Sequence, residues 1–314
     1  MKFEELKEIL RTKSEFRRLE DWKFTRITSG GTSPNKFRLR TGKKDYYVKE
    51  ISEQEHKILP VLLAIKSRLI PPVAYPDLLA KDILVSPYLG RCVRPGGRLE
   101  PRLFREFAVM QNTLNNPAVR RKLKRSHGYQ WNDRDDGYFS RGVTKPLAES
   151  RRLLRRLTRR YGWRILDAWR TAFDLMAGQE RALAREFGGM PFGRQHHDLR
   201  EDNIVGKPQR LADWGSSYGH GPFIYDVAPY LPGDPRLREA FVRTSDICRR
   251  ADPRTIDRWI WLATCRKLSG KVLQGLNGSN ERMWGAGEGI HRHLVRFSWL
   301  CRIVLAGDGR AVWT

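Results

Sequence analysis

Apolar residues recur at helical spacing through Phe3, Leu6, Ile9 and Leu10, which predicts a short leading helix within residues 1–20. From Trp22 to Glu50 the pattern becomes strand-like. F-T-R-I-T, K-F-R-L-R and Y-Y-V-K-E read as strands joined by the turns S-G-G-T-S-P-N and T-G-K-K-D. E-Q-E-H-K-I-L-P-V-L-L-A-I-K-S-R-L follows as an amphipathic helix, with Pro60 expected near its first turn or at a kink. Two further strands are expected at 72–79 and 82–89, the second apolar enough to be buried. Beyond Gly90 the pattern is helical, over 100–114, 147–160, 161–187, 235–250, 253–275 and 283–306. Strands followed by helices predict an α+β chain of two lobes with a connector near Ser86–Arg91. Residues 1–90 form the smaller lobe: a leading helix, a five-stranded antiparallel sheet and one long helix. Residues 91–314 form a larger, mostly helical lobe.

The densest chemistry lies at H-H-D-L-R-E-D-N (196–203), followed by A-D-W-G (212–215). His196-x-Asp198-x-x-x-x-Asn203 has the spacing of a kinase catalytic loop, and Asp213 comes ten residues after Asn203. Phosphoryl transfer needs an acidic side chain beside the acceptor hydroxyl and hard oxygen ligands that hold Mg²⁺ against the triphosphate. Asp198 suits the first role; Asn203 and Asp213 suit the second. The intervening I-V-G-K-P-Q-R-L-A predicts a tight hairpin that returns Asp213 beside Asn203.

Three features upstream agree. Ser29, Gly30, Gly31, Thr32 and Ser33 lie between two predicted strands, where backbone N–H groups can cap phosphates, although no G-K-[ST] follows as in a Walker A loop. Lys49 ends the third strand, the position from which a lysine reaches the α- and β-phosphates. Glu55 opens the next helix and is spaced from Leu59 and Leu62 to share its buried side and pair with Lys49, a better placement than that of Glu53.

These segments, with I-L-V-S-P-Y-L-G at 83–90 and the run from Ala212 to Leu231, resemble the aminoglycoside phosphotransferase and choline kinase group of kinase-like enzymes. The resemblance covers about residues 24–90 and 190–232. It implies a two-lobed kinase-like fold, ATP as the phosphoryl donor and Mg²⁺. It places the adenine on backbone around Ser86–Tyr88, makes Asp198 the base, Asn203 and Asp213 the metal ligands, and Asp226 a scaffold residue. Gly215 departs from it, since the group often has an acid after D-W. Residues 91–160 match nothing in the group.

Only twelve residues separate Asp213 from Asp226, and no A-P-E follows. A protein kinase needs a longer segment there to support a peptide, and the resemblance implies a hydroxylated small molecule, an antibiotic or a sugar, as the acceptor. An antibiotic-resistance role falls within that expectation.

Charge changes the picture. Sixty Lys and Arg against 35 Asp and Glu leave +25 over 314 residues. The excess concentrates at 117–160, including Arg120, Arg121, Lys122, Lys124, Arg125 and the R-R-L-L-R-R-L-T-R-R run at 151–160. Such a field repels polycationic aminoglycosides and attracts polyanions. RNA or an anionic glycolipid is the second expected acceptor class, docking on that segment; a solvated basic face is the plain alternative. A third reading, of another class, is a catalytically inactive kinase fold that binds nucleic acid. The retention of Lys49, Asp198, Asn203 and Asp213 argues against it. Cys92, Cys248, Cys265 and Cys301 are scattered, no apolar run spans a bilayer, and the N-terminus has no signal-peptide character, which together predict a cytoplasmic protein.

Overall fold

The structure is a computed structural model, described here for residues 3–27, 35–42, 44–94, 96–129, 138–162, 164–216, 220–276 and 288–307. The chain divides into two compact units: residues 1–130 with 196–218, and residues 131–195 with 219–314. The H-H-D-L-R-E-D-N segment is therefore part of the same unit as the N-terminal sheet.

In the first unit, α1 (Phe3–Arg11) leads into an antiparallel sheet in the order β1 (Lys23–Arg26), β2 (Lys36–Thr41), β3 (Lys44–Glu50) and β4 (Ile83–Pro87). Strand alternation sorts the side chains into two faces. Phe37, Leu39, Val48, Ile83 and Val85 point into a core completed by Leu6, Leu10, Phe16 and Trp22. Lys36, Tyr47, Lys49, Leu84 and Ser86 fall on the other face and line a cavity. Register places Lys36 directly opposite Lys49 and Tyr47 opposite Ser86.

The helix α2 (Glu53–Ala64) begins with a capping box: Ser52 Oγ accepts from the Glu55 amide, and Glu55 accepts from the Ser52 amide. Pro60 stands at its eighth residue, inside the helix and past the first turn. After α3 (Pro101–Asn115), α4 (Pro117–His127) starts at an Asn116 cap with Pro117 in its first turn, and stops at Gly128, φ +62°.

The second unit holds α5 (Tyr138–Tyr161), α6 (Ile165–Gly178), α7 (Glu180–Gly188), α8 (Pro235–Thr244), α9 (Pro253–Leu276) and α10 (Glu288–Ala306). It also holds a small pair of strands, β5 (Phe192–Arg194) and β8 (His220–Pro222). Its core carries Trp169, Phe173, Phe187, Phe223, Phe241 and Trp261. Asp226 is fully buried there, with the Lys267 ammonium 3.3 Å from its carbonyl and 3.8 Å from its carboxylate.

Several expected elements differ. Among the described residues the first sheet has four strands, because 72–79 is not a strand. Pro71 and Pro72 remove ladder donors, and Pro76 opens a 3-10 helix, Pro76–Lys81; only the Ala74 amide bonds β4, at Val85. The expected helix over 161–187 is two helices, broken at Gly178–Gln179. The expected 235–250 helix stops at Thr244, with a separate 3-10 turn at Cys248–Arg250. No helix was expected over 117–127, where α4 forms, and the helix expected at 147–160 is the later part of α5, which begins at Tyr138. No described helix is long and apolar enough to cross a membrane.

Candidate active site

The first unit contains a cavity of about 580 Å³, within the range of small-molecule sites. Lys36, Tyr47, Lys49, Glu55, Ser86, Tyr88, Asn203, Asp213 and Trp214 line it. Of the seven expected site residues that are described, six meet there, and Asp198 is not part of the lining. Ser29, Gly30, Gly31, Thr32 and Ser33 lie outside the described residues.

Lys49 is the centre of the charge arrangement. Its Nζ is 2.7 Å from Glu55 Oε1 and 3.0 Å from Asp213 Oδ1. Burial lowers its pKa, but Glu55 and Asp213 outweigh burial and hold the ammonium above the ordinary lysine value. Glu55 Oε1 also accepts the Trp214 amide at 3.2 Å, while Oε2 caps α2 through Ser52. Glu53, by contrast, is an exposed residue paired with Lys57 one turn along.

Asp213 reaches Lys49 by way of the expected hairpin. Asn203 is followed by β6 (Ile204–Val205), which pairs antiparallel with β7 (Arg210–Leu211), and the Ala212 amide bonds the Asn203 carbonyl at 2.8 Å. Asp213 then takes φ +58°, a left-handed backbone that a non-glycine residue holds at a cost of about 1–3 kcal/mol. Burial raises the Asp213 pKa, yet Lys49 and then Lys36 outweigh it, so the carboxyl lies below its ordinary value and is ionised at neutral pH.

Asp198 is tied to Asn203, whose Nδ2 donates to the Asp198 carbonyl at 2.8 Å and to Oδ2 at 3.1 Å. Because the Asn203 nitrogen serves Asp198, its amide oxygen is the atom it can offer elsewhere. An ionised carboxylate and an amide oxygen are a donor set suited to a hard divalent cation. The Asp198 amide donates to His196 Nδ1 at 3.3 Å, and His196 Nε2 faces the Ala212 carbonyl at 2.9 Å. A carbonyl only accepts and an amide only donates, so the ring is the neutral tautomer with its proton on Nε2. His196 is fully buried, and Trp214 packs edge-on against it at 4.6 Å.

At the connector, Ser86 is buried and Tyr88 lines the cavity, but the Tyr88 amide already donates to the Asp45 carbonyl at 2.9 Å. The backbone past it, Leu89 and Gly90, also lines the cavity.

Sequence reading missed three residues here. Lys36, 5 % exposed, sits across the sheet from Lys49, and burial holds its pKa below the ordinary lysine value. The alternation K-F-R-L-R was its signal, since Phe37 and Leu39 are core-facing. Tyr47 lies two residues before Lys49, and burial pushes its phenol up to about 12. Arg200, two residues past Asp198, sets its Nε 2.9 Å from Asp198 Oδ1 and 3.3 Å from Asp202 Oδ1.

Gly215, the departure from the family pattern, has a local reason. A Cβ there would stand 3.2 Å from Ser52 Oγ and 3.7 Å from Asp213 Oδ1. The absent side chain lets the D-W-G turn lie against the start of α2.

No protein-family model matches the chain, and no curated protein matches it in sequence. Solved structures do match its fold. The spectinomycin phosphotransferase APH(9)-Ia, in complex with ADP and spectinomycin, superimposes with a TM-score of 0.59 at 11 % identity, over 98 % of this chain and 99 % of that one. An ethanolamine kinase of Plasmodium vivax gives 0.54 at 12 % identity, over 93 % and 86 %. A choline/ethanolamine kinase family protein of Mesorhizobium loti gives 0.51 at 17 % identity, over 98 % and 100 %. The chain has the two-lobed α+β kinase-like fold, and this likeness of fold extends along nearly its whole length.

Proposed function

We propose that this protein is a phosphotransferase that moves the γ-phosphoryl group of ATP, with Mg²⁺, to a hydroxyl of a small molecule such as an antibiotic or sugar. The observation that carries the reading is the buried Lys49 ammonium held between Glu55 and Asp213, in a cavity that also presents Asn203. Fold neighbours crystallised as a spectinomycin phosphotransferase with ADP and as an ethanolamine kinase support it. On this reading residues 1–90 carry the nucleotide and 91–314 the acceptor.

Lys49 holds the α- and β-phosphates, with Glu55 keeping its chain extended and Lys36 adding a second cation opposite. The loop at 29–33 covers the phosphates. The adenine lies against the connector at Ser86–Tyr88, beneath Tyr47, using backbone past the occupied Tyr88 amide. Asn203 and Asp213 hold Mg²⁺, which when bound neutralises charge on the transferring phosphoryl group. Asp198 accepts or orients the acceptor proton. Asn203 fixes the Asp198 carboxylate from one side, and Arg200 balances its charge from the other. The neutral His196 pins the loop through backbone contacts and takes no proton.

The test is transfer of labelled γ-phosphate from Mg-ATP to hydroxylated antibiotics and sugars, with Asp198→Asn as control. Label that enters an acceptor only with Asp198 intact supports the reading. The excess of basic residues favours a second class, an anionic acceptor, so an RNA pool and a glycolipid extract belong in the same assay. Nucleotide binding without transfer to any pool would leave an inactive binding module as the better description.

A further inference from the structure

The helix α5 carries a surface that the phosphotransferase reading does not use. Its apolar side is committed to its own unit: Leu147, Ser150, Leu154 and Leu157 are buried, at helical spacing. The opposite side exposes Arg152, Arg155, Arg156 and Arg159, at i, i+3, i+4 and i+7, which makes one continuous stripe. Arg151, beside it, is neutralised by Asp174, at 2.7 Å. Arg160 lies over the Tyr161 ring. The four stripe arginines have no ion-pair partner among the described residues.

We infer that this stripe is a docking surface for the phosphodiester backbone of double-stranded RNA. Four like charges within about 10 Å of helix repel one another, and a polyanion relieves that repulsion. All four are arginines, whose planar forks match phosphate oxygens in pairs. A lipid surface fits less well. A membrane-surface helix inserts apolar side chains, whereas Leu147, Leu154 and Leu157 are buried, Leu153 is half-buried, and among the described residues none of the exposed large apolar ones (Val109, Val295, Leu305) belongs to α5. DNA presents the same phosphates around a minor groove only about 6 Å wide, so it is the duplex against which the choice of RNA is tested. A-form RNA presents a wide, shallow minor groove and its flanking phosphates, which a flat basic face can follow without reading bases. The inference does not depend on the phosphotransferase reading.

The full chain is titrated against a fluorescent RNA duplex, the same sequence as DNA, and phosphatidylserine vesicles, from 50 to 200 mM salt. Four phosphate contacts contribute a log–log salt slope of about −3.6, so their share of RNA affinity falls about 150-fold over that range. Arg152, Arg155, Arg156 and Arg159 changed together to Gln should remove most of that slope and weaken binding at least about tenfold at 100 mM salt. The fourfold Arg→Lys variant should keep the slope and lose affinity, which separates charge and geometry from any change in folding. Changing Arg121, Lys122, Lys124 and Arg125 of α4 to Gln should reduce binding less. Failure of the wild type to bind RNA at 50 mM salt, or a slope unchanged in the Gln variant, overturns the inference. So does an α4 variant that loses as much as α5. DNA or vesicles bound as tightly as RNA through the same arginines overturn the choice of RNA.

Discussion

Glu55 Oε1 stands 2.7 Å from Lys49 Nζ, and each side chain is only 3 % exposed. Two ionised groups taken this far out of water depend on each other. Removing either leaves the other charge buried without its main counter-ion, a loss of about 3–5 kcal/mol. Lys49→Met should therefore lose phosphoryl transfer and stability together. Urea unfolding alongside the transfer assay checks this, and a fully stable Lys49→Met protein would contradict it.

Asp198→Asn should separate the two properties. Asp198 is partly exposed, and its replacement keeps the shape and the Asn203 contact. Transfer should fall by about 10²–10⁴ with the melting temperature little changed, as for loss of a general base. Unchanged kcat would remove Asp198 from the reaction.

Asp213→Asn isolates charge from backbone strain, because asparagine also tolerates the left-handed region. The folded Asp213 pKa is below its unfolded value. Its contribution to stability is thus complete above about pH 4 and lost as pH falls through the folded value. Wild type should be more stable than Asp213→Asn at pH 7, with the gap closing below pH 4. A gap that persists under acid would assign the difference to packing.

Lys36→Met tests a buried charge of opposite consequence. Burial holds its folded pKa below the unfolded one, so the charged form destabilises the fold until pH rises through the folded value. The variant should be more stable than wild type at pH 7, by a margin that shrinks toward pH 10.5, and should show a raised KM for ATP. An unchanged KM would leave Lys36 a structural residue.

Gly215→Ala introduces only the 3.2 Å approach to Ser52 Oγ, whereas Gly215→Asp adds a charge near Asp213 and Glu55. Ala should lower stability by about 1 kcal/mol, and Asp by more, with kcat/KM falling in the same order. Chemical denaturation of the pair checks this. An Asp variant as stable as wild type would show that the turn relaxes away from α2.

The placement of the H-H-D-L-R-E-D-N segment, the hairpin and the D-W-G turn beside Lys49 was legible because the chemistry expected of them goes with fixed residue types at fixed spacing. Lys49 and Glu55 followed from a strand end and a helix start. Lys36 was not read as part of the site, since a strand lysine looks solvated until register sets it opposite Lys49. The segment 72–79 looked like a strand because Val73, Tyr75 and Leu78 outweighed its two prolines, Pro72 and Pro76, which bar a ladder. The helix α4 was missed because Leu123 is its only buried residue. Its Asn116-Pro117 start and Gly128 stop were signals that capping rules could have caught. Nothing in the motifs indicated that the H-H-D-L-R-E-D-N segment packs with the N-terminal sheet as one compact unit.

The capping box at Ser52 reaches beyond the helix it begins. The carboxylate of Glu55 answers to a helix start, a lysine and the Trp214 amide at once. On the proposed reading, lineages descended from this chain can lose phosphoryl transfer quietly at Asp198, where the loop survives the change. They cannot do so at Glu55, where silence and collapse arrive together. Folded but inert relatives should carry their scars in the catalytic loop and keep the glutamate.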